Sequence, residues 1–127
     1  MLSVDTNVVV RLLVNDEPRQ AEQARRQFES GEIWIGVTVL LEAAWVLESV
    51  YGLSTAATAE ALRGVLGLPN VRTEDAAAVT AALDVAAAGV DFADALHVLR
   101  SPGDAEFATF DRAFAKSGRR LRPIRLI

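Results

Sequence analysis

The stretch MLSVDTNVVVRLLV, Met1 to Val14, decides the fold predicted for this chain. A short apolar lead, Leu2 to Val4, ends in Asp5-Thr6-Asn7, and apolar periodicity resumes over Val8 to Leu13. This change of period predicts a strand followed at once by a helix. Asp5 then lies at the carboxyl end of the strand, where open α/β sheets place their ligand sites.

The rest of the chain repeats this alternation of short strands with helices. Further strands are predicted at Ile33–Ile35, Val71–Thr73, Glu106–Thr109 and Leu121–Leu126. The helices between them are predicted over Arg19–Ser30, Val39–Tyr51 (capped by Thr38), 55 to about 66 (capped by Ser54), Glu74–Ala88, Asp91–Arg100 and a short segment carrying Phe114. This order predicts an α/β fold, with a short-stranded parallel sheet flanked by helices on both faces. No repeat or linker divides residues 1–127, so a single domain is expected.

Composition narrows the classes of function. The chain has no cysteine, which excludes disulfides, thiolate catalysis and Cys-based zinc sites. No basic segment leads into an apolar run, and no run is long enough for a membrane span, so we expect a cytoplasmic protein without membrane contact. The net charge of −4 argues at first against nucleic acid, but four acids buried in one site would leave the remaining surface neutral.

Three acids occupy comparable places in this predicted fold, and two more open a helix whose first turn can point to the same edge. Asp5 and Asp111 each follow a strand, Glu42 is predicted in the first turn after the second strand, and Asp91 and Asp94 open a helix. The carboxyl ends of parallel strands meet at one edge of a sheet, so four or five carboxylates could converge there. Two carboxylates about 4 Å apart repel by about 4 kcal/mol at an effective dielectric of about 20, so such a group must raise its pKa values or bind a cation.

Carboxylates without His or Cys suit the hard ions Mg²⁺ and Mn²⁺. Such ions bind phosphate oxygens, activate water and stabilise a leaving oxygen, which is the chemistry of metal-dependent phosphodiester hydrolysis. A second explanation stays open for each acid taken alone, because Asp and Glu also favour the first turn of a helix as caps. Asp91 is the acid that this second explanation fits best, whereas Asp94 is three residues further on, beside apolar side chains.

Several other residues have a structural and a functional interpretation. His97, the only histidine, is more typical of a structural residue than of a base, and Trp34 and Trp45 are expected in the core rather than as stacking platforms for bases. Thr109 could orient a carboxylate or could be an ordinary strand residue. The arginines at 119, 120, 122 and 125 could guide RNA or could be solvated, and the preference for Arg over Lys is also typical of a GC-rich genome.

Four motifs together give a resemblance to a known family. Val4-Asp5-Thr6-Asn7-Val8, Glu42, Asp91-Phe92-Ala93-Asp94-Ala95-Leu96-His97 and Thr109-Phe110-Asp111-Arg112 occur in the order and at the spacing of PIN-domain ribonucleases. The chain most resembles the VapC toxins of type II toxin-antitoxin systems, over nearly all of its length. It departs from them at Arg100–Glu106, where RSPGDAE is more polar and turn-rich than the family pattern.

The resemblance implies a metal-dependent endoribonuclease. Asp5, Glu42, Asp94 and Asp111 would bind Mg²⁺ or Mn²⁺ for RNA cleavage, with Asp91 as an accessory acid. Thr6, Asn7 and Thr109 match small polar positions that support the site. The resemblance also implies a homodimer that is silenced by a cognate antitoxin protein.

Two other classes of function remain as alternatives. One is a Mg²⁺-dependent phosphoryl-transfer module of the receiver type, which needs an acceptor aspartate at the end of a middle strand and a lysine near a later one. The other is a non-catalytic binding module in which every acid is only a cap and the apolar Val39–Tyr51 helix faces a partner.

Overall fold

A computed structural model describes all 127 residues. Short strands alternate with helices as predicted. The strands are β1 (Leu2–Ser3), β2 (Ile33–Trp34), β3 (Val71–Arg72), β4 (Phe107–Thr109) and β5 (Ile124–Leu126). The helices are α1 (Thr6–Leu13), α2 (Pro18–Ser30), α3 (Val37–Ser49), α4 (Thr55–Leu66), α5 (Ala76–Ala87), α6 (Phe92–Leu99) and α7 (Arg112–Ser117), followed by a 3₁₀ turn at Gly118–Arg120.

All strand pairs are parallel, which confirms the predicted α/β class. β2 is the middle strand of a three-stranded sheet, with Leu2 opposite Ile33 and Ile33 opposite Val71. β4 and β5 form a separate pair, with Phe107 opposite Ile124. The strands are therefore divided between two small sheets, and Asp111 follows a strand of a different sheet from the one that leads to Asp5.

The apolar side chains that the helices and strands share form one continuous cluster. It extends along the chain from Val4 to Phe114 and includes the fully buried Val9, Leu40 and Leu96. α3 packs against both α1 and α6 inside this cluster. The three helices that carry Asp5, Glu42 and Asp94 at or near their amino-terminal ends are therefore held in consecutive contact.

The start of α3 differs from the prediction. The helix begins at Val37 with Gly36 as its amino-terminal flanking residue, so Thr38 lies inside the first turn and is not the cap. The side chain that accepts a hydrogen bond from the Val37 amide is Glu74 Oε1, at 2.9 Å, from the segment just after β3. A cap supplied from 37 residues away leaves no local sequence signal, which is why the helix start was predicted two residues too late.

The exposed side of α3 gives a second correction. Trp45 was expected in the core, but 63% of its surface is exposed, and it lies on one face with Thr38, Glu42 and Ser49. The buried positions of α3 are Val37, Leu40, Ala43, Ala44 and Leu47. The helix thus buries one face and exposes the other, with Trp45 on the exposed face and two alanines on the buried one.

Candidate metal centre

Asp5 joins the first strand to the first helix in the predicted way. Its backbone is extended, and its Oδ1 accepts a hydrogen bond from the Val8 amide at 3.2 Å, which caps α1. The side chain is exposed, and its second oxygen, Oδ2, accepts no hydrogen bond from the protein. Capping therefore occupies one carboxylate oxygen and leaves the other free for a ligand.

Asp91 and Asp111 repeat this arrangement at two other helices. Asp91 Oδ1 accepts from the Asp94 amide at 2.9 Å and caps α6, and Asp111 Oδ1 accepts from the Phe114 amide at 2.9 Å and caps α7. Both side chains are exposed, and their Oδ2 atoms have no partner in the protein. The capping explanation is thus confirmed for three of the five acids, but it does not compete with metal binding because each cap uses a single oxygen.

Asp94 is one of the two acids that do not cap a helix, and the only one of the two that is half-buried. It lies in the first turn of α6, half-buried, and its carboxylate accepts no hydrogen bond. Burial raises the pKa of Asp94, the negative charges of Asp91 and Asp111 raise it further, and His97 acts in the opposite direction. A carboxylate held near two others without a hydrogen bond, with a pKa that stays raised despite a nearby histidine, is typical of a functional site rather than of a stabilising feature.

Glu42 occupies a different place from the one predicted. Because α3 starts at Val37, Glu42 lies in the second turn and not in the first, so it neither caps the helix nor benefits much from the helix dipole. Its side chain is exposed and forms no hydrogen bond or ion pair. It is nevertheless carried by the helix that packs between α1 and α6.

The structure brings the predicted site residues together only in part. Asp94 is near enough to Asp91 and Asp111 for their charges to act on it, although Asp111 follows the second sheet and the other two lie at the start of α6. No three carboxylate or imidazole groups lie close enough to hold a metal ion in the present side-chain arrangement. The full set of Asp5, Glu42, Asp94 and Asp111 therefore stays a prediction about the site.

The chemistry of these residues nevertheless fits a divalent cation. All available donors are carboxylate oxygens, the ligands that Mg²⁺ and Mn²⁺ prefer. Burial, and after it the charges of Asp91 and Asp111, raise the pKa of Asp94, and a bound cation would favour the ionised carboxylate against both effects. The three capping acids keep their Oδ2 atoms free in a fixed orientation, and Asp94 and Glu42 keep both oxygens free.

The supporting residues take three separate places. Thr6 is buried at the first position of α1, and Asn7 is exposed beside it. Asp5 and Asn7 line an open cleft of about 360 Å³ together with Arg11 and glutamines of α2. Thr109 Oγ1 accepts from the Asp111 amide at 3.0 Å, so it orients Asp111 through the backbone and not through the carboxylate.

Sequence reasoning missed two polar contacts that position the site's elements. Glu74 holds the start of α3, as described above. Arg122 donates through Nη1 to the Ser101 and Pro102 carbonyls, at 2.6 and 2.7 Å, and so ties the polar loop before β4 to the segment after α7. The sequence shows that this loop departs from the family pattern. It does not show that Arg122 binds the loop, because Arg122 lies 20 residues after Pro102.

The position of β2 bears on the receiver-type alternative. A receiver-like module needs an acceptor aspartate at the end of a middle strand, and β2 is followed by Ile35 and Gly36. Glu74, after β3, is already bound to the Val37 amide. The middle strand therefore does not lead into the acceptor aspartate that such a module needs.

The chain is an α/β protein whose short parallel strands lead into helices opened by acids, at the strand ends where such folds place their ligand sites. The model of the PIN domain family matches residues 2–119, and the chain belongs to that family. PIN domains are generally nucleases that need a divalent metal ion. Searches among curated proteins and among solved structures gave no match to this chain. None of its helices is both long and apolar enough to span a membrane.

Proposed function

We propose that this protein is a metal-dependent endoribonuclease, the VapC-like toxin of a toxin-antitoxin pair, and that it hydrolyses RNA phosphodiester bonds. The observation that carries the proposal is Asp94. Its carboxylate is half-buried near Asp91 and Asp111, its pKa is raised, and it has no hydrogen bond. That arrangement costs stability, and a bound cation that positions a phosphodiester would offset the cost.

The proposed ligands of Mg²⁺ or Mn²⁺ are Asp5, Glu42, Asp94 and Asp111. A divalent ion, when bound, activates water and neutralises charge on the phosphate. Asp5 and Asp111 are oriented by the helix amides that they cap, at Val8 and Phe114. Glu42 and Asp94 supply carboxylates without other partners, from the packed pair α3 and α6.

The remaining residues of the proposed site hold these acids in place. Asp91 is an accessory acid that caps α6 and so fixes the turn that carries Asp94. Thr109 holds the Asp111 backbone, and Thr6 and Asn7 extend the first turn after Asp5. Outer residues of this kind typically change metal affinity or activity by about 10- to 100-fold when they are removed.

The proposed partners follow from the resemblance to VapC toxins. They are an RNA substrate, a cognate antitoxin that covers the site until the toxin is released, and a second copy of the chain in a homodimer. The proposed location is the cytoplasm, where RNA and such an antitoxin are present together. A small neighbouring reading frame with a DNA-binding amino terminus would support the toxin role.

RNA cleavage tests the nuclease proposal directly. Cleavage should occur with Mg²⁺ or Mn²⁺, stop with EDTA, and be lost in Asp5→Asn and Asp94→Asn. Asparagine is as good a helix cap as aspartate, so Asp5→Asn removes the charge and keeps the bond to the Val8 amide. Asp104→Asn is the matched control, since Asp104 is exposed and forms no ion pair or side-chain hydrogen bond. Activity that survives in either site variant contradicts the assignment.

Calorimetric titration with Mn²⁺ separates the nuclease from a binding module whose acids are only caps. A metal centre should give saturable binding that Asp94→Asn weakens and Asp104→Asn does not. Independent caps should give no specific heat. The exposed Trp45 is the feature that favours a partner-binding surface instead, and it is untouched in both variants.

A further inference from the structure

Charge is divided very unequally along this chain. Residues 110–127 contain six of the 13 basic residues and one of the 17 acids, a net charge of +5. Residues 1–109 contain the other seven bases and 16 acids, a net charge of −9. A charge asymmetry of this size is typical of a polyanion-binding segment attached to an acidic body.

The ion pairs show which of the basic residues are free to bind another molecule. Seven arginines are bound to carboxylates, including Arg125, which pairs with Glu106 at 2.5 Å, and Arg122 is bound to backbone carbonyls. Five basic residues have neither an ion pair nor a side-chain hydrogen bond. One is Arg19 in α2, and the other four are Arg112, Lys116, Arg119 and Arg120, which we call the basic stripe.

The basic stripe starts beside a proposed metal ligand. Asp111 caps α7, and Arg112 is the first residue of that helix. A spacing of four residues places Arg112 and Lys116 on one side of α7, and Arg119 and Arg120 follow in the 3₁₀ turn that continues from it. The α-helix rises about 1.5 Å per residue, so α7 alone carries the stripe roughly 9 Å away from Asp111.

Packing fixes the orientation of the stripe. α7 buries Phe114 and Ala115, and the Phe114 ring meets Phe107 edge-on, with 6.2 Å between ring centroids. Gly118 lets Ile124 approach so closely that a Cβ there would lie 2.5 Å from its Cδ1. The opposite side of the helix, which carries the stripe, is left in solvent.

Phe110 lies at the start of the stripe. It is 82% exposed, the most exposed large apolar residue of the chain. The bond from the Asp111 amide to Thr109 Oγ1 closes the turn around Phe110 and fixes the backbone that carries the exposed ring. An exposed aromatic ring on a fixed turn between an acidic site and free cations is suited to stacking against a nucleotide base.

We propose that single-stranded RNA crosses this surface, with one base stacked on Phe110 and successive phosphates on Arg112, Lys116, Arg119 and Arg120. This inference rests on the proposed ribonuclease function, whose site it extends. An acidic body repels RNA, so the strand needs a local cationic path to reach the carboxylates. The basic stripe is the one surface where free cations, an exposed ring and a proposed metal ligand adjoin.

RNA binding without cleavage tests the inference. The probe is a fluorescein-labelled, single-stranded RNA of about 16 nucleotides. Its affinity is measured by fluorescence anisotropy in EDTA, from about 50 to 200 mM salt. The stripe variant is Arg112→Gln/Lys116→Gln. The matched control is Arg19→Gln/Arg26→Gln, which removes the same charge from α2.

The expected results separate phosphate contacts from stacking. Each phosphate contact to a single strand contributes about 0.7 to the slope of log affinity against log salt, so the stripe variant should lose about 1.4 from that slope. The control should keep the wild-type slope. Phe110→Ala should weaken binding about five- to 150-fold at an unchanged slope, and Phe110→Trp should retain it.

Three outcomes would overturn the inference. Equal losses in the stripe and control variants would show that only net charge matters. A Phe110→Ala variant with wild-type affinity would show that no base stacks on the Phe110 ring. The exposed ring would then be better explained as a contact between two copies of the chain. A stripe variant that binds RNA with wild-type affinity but no longer binds an acidic protein that the wild type binds would show that the basic stripe is a protein-binding surface.

The nuclease and the RNA path can fail separately. RNA binding in EDTA does not depend on cleavage. If the salt slopes change as predicted but no metal ion supports cleavage, the nuclease proposal is refuted and the proposed RNA path stands. Cleavage with unchanged slopes in the stripe variant would refute the path and keep the nuclease.

Discussion

Asp94→Asn is expected to stabilise the metal-free protein while it abolishes cleavage. Burial and the charges of Asp91 and Asp111 both disfavour the Asp94 carboxylate, so a neutral amide of the same shape removes the penalty. Much of the side chain still contacts water, and screening reduces the effect to the range of exposed charge pairs. The expected gain in the free energy of unfolding at neutral pH is about 0.2–1 kcal/mol.

The sign of the pH dependence follows from the raised pKa. The folded protein holds a proton on Asp94 at pH values where the unfolded chain, near its ordinary value of 3.8, has already lost it. The contribution to stability is therefore present below the unfolded pKa and is lost as the pH rises through the folded pKa. Asp94→Asn lacks this step, so its advantage over the wild type should grow from acid towards neutral pH and then stay constant.

A divalent cation should reverse this order of stability. A ligand that binds only the folded state adds about 2.7 kcal/mol at 100 times its dissociation constant. The wild type should gain this from Mn²⁺, and Asp94→Asn should gain much less. Urea unfolding with EDTA and with Mn²⁺, at several pH values, measures the stability gain of Asp94→Asn, its pH dependence and the stabilisation by metal. Asp104→Asn should follow the wild type throughout.

Two results would refute this reasoning about Asp94. A variant less stable than the wild type in EDTA would mean that the carboxylate makes a favourable contact, so the acids do not repel one another. Equal stabilisation of both proteins by Mn²⁺ would mean that Asp94 is not a ligand. Cleavage should fall by more than the roughly 10- to 100-fold that supporting residues typically contribute.

Three further predictions are checked by urea unfolding. Glu74→Ala should destabilise by about 0.5–2 kcal/mol, since the Val37 amide loses its acceptor, and Glu74→Gln, which keeps an oxygen in reach, should lose less. Thr58→Val should stabilise by roughly 1 kcal/mol, because the buried Thr58 hydroxyl has no hydrogen-bond partner; a loss of stability would reveal one. Gly118→Ala should destabilise by about 1–3 kcal/mol through its clash with Ile124 and Phe114, and unchanged stability would show that Ile124 moves aside.

Local signals in the sequence predicted most of the fold. Ser54 and Asp91 cap α4 and α6 as expected, through bonds to the Ala57 and Asp94 amides. The Leu2–Leu13 pattern gave the first strand and helix because its period changes at Asp5. Caps and periodicity act within a few residues, so one sequence is enough to read them.

Features that depend on distant residues could not be predicted in this way. The cap from Glu74 to Val37 and the bonds from Arg122 to the loop before β4 both connect segments far apart in the chain. Trp45 is exposed because the neighbouring Ala43 and Ala44 face the core instead, and only the packing of α3 shows which of these residues is buried. The division of the strands into two sheets is likewise set by packing, since each strand is only two or three residues long.

The sequence left open whether the acids are caps or ligands, and the structure makes the two roles compatible for three of them. Asp5, Asp91 and Asp111 each give one oxygen to a helix amide, so stability alone accounts for their presence. Asp94 accepts no such bond, and burial and the charges of Asp91 and Asp111 raise its pKa against the opposing effect of His97, so its ionised form costs stability. Protein sequences tolerate such a cost mainly where function requires it. Asp94, not the acid at the first strand end, is therefore the residue on which the nuclease proposal depends most.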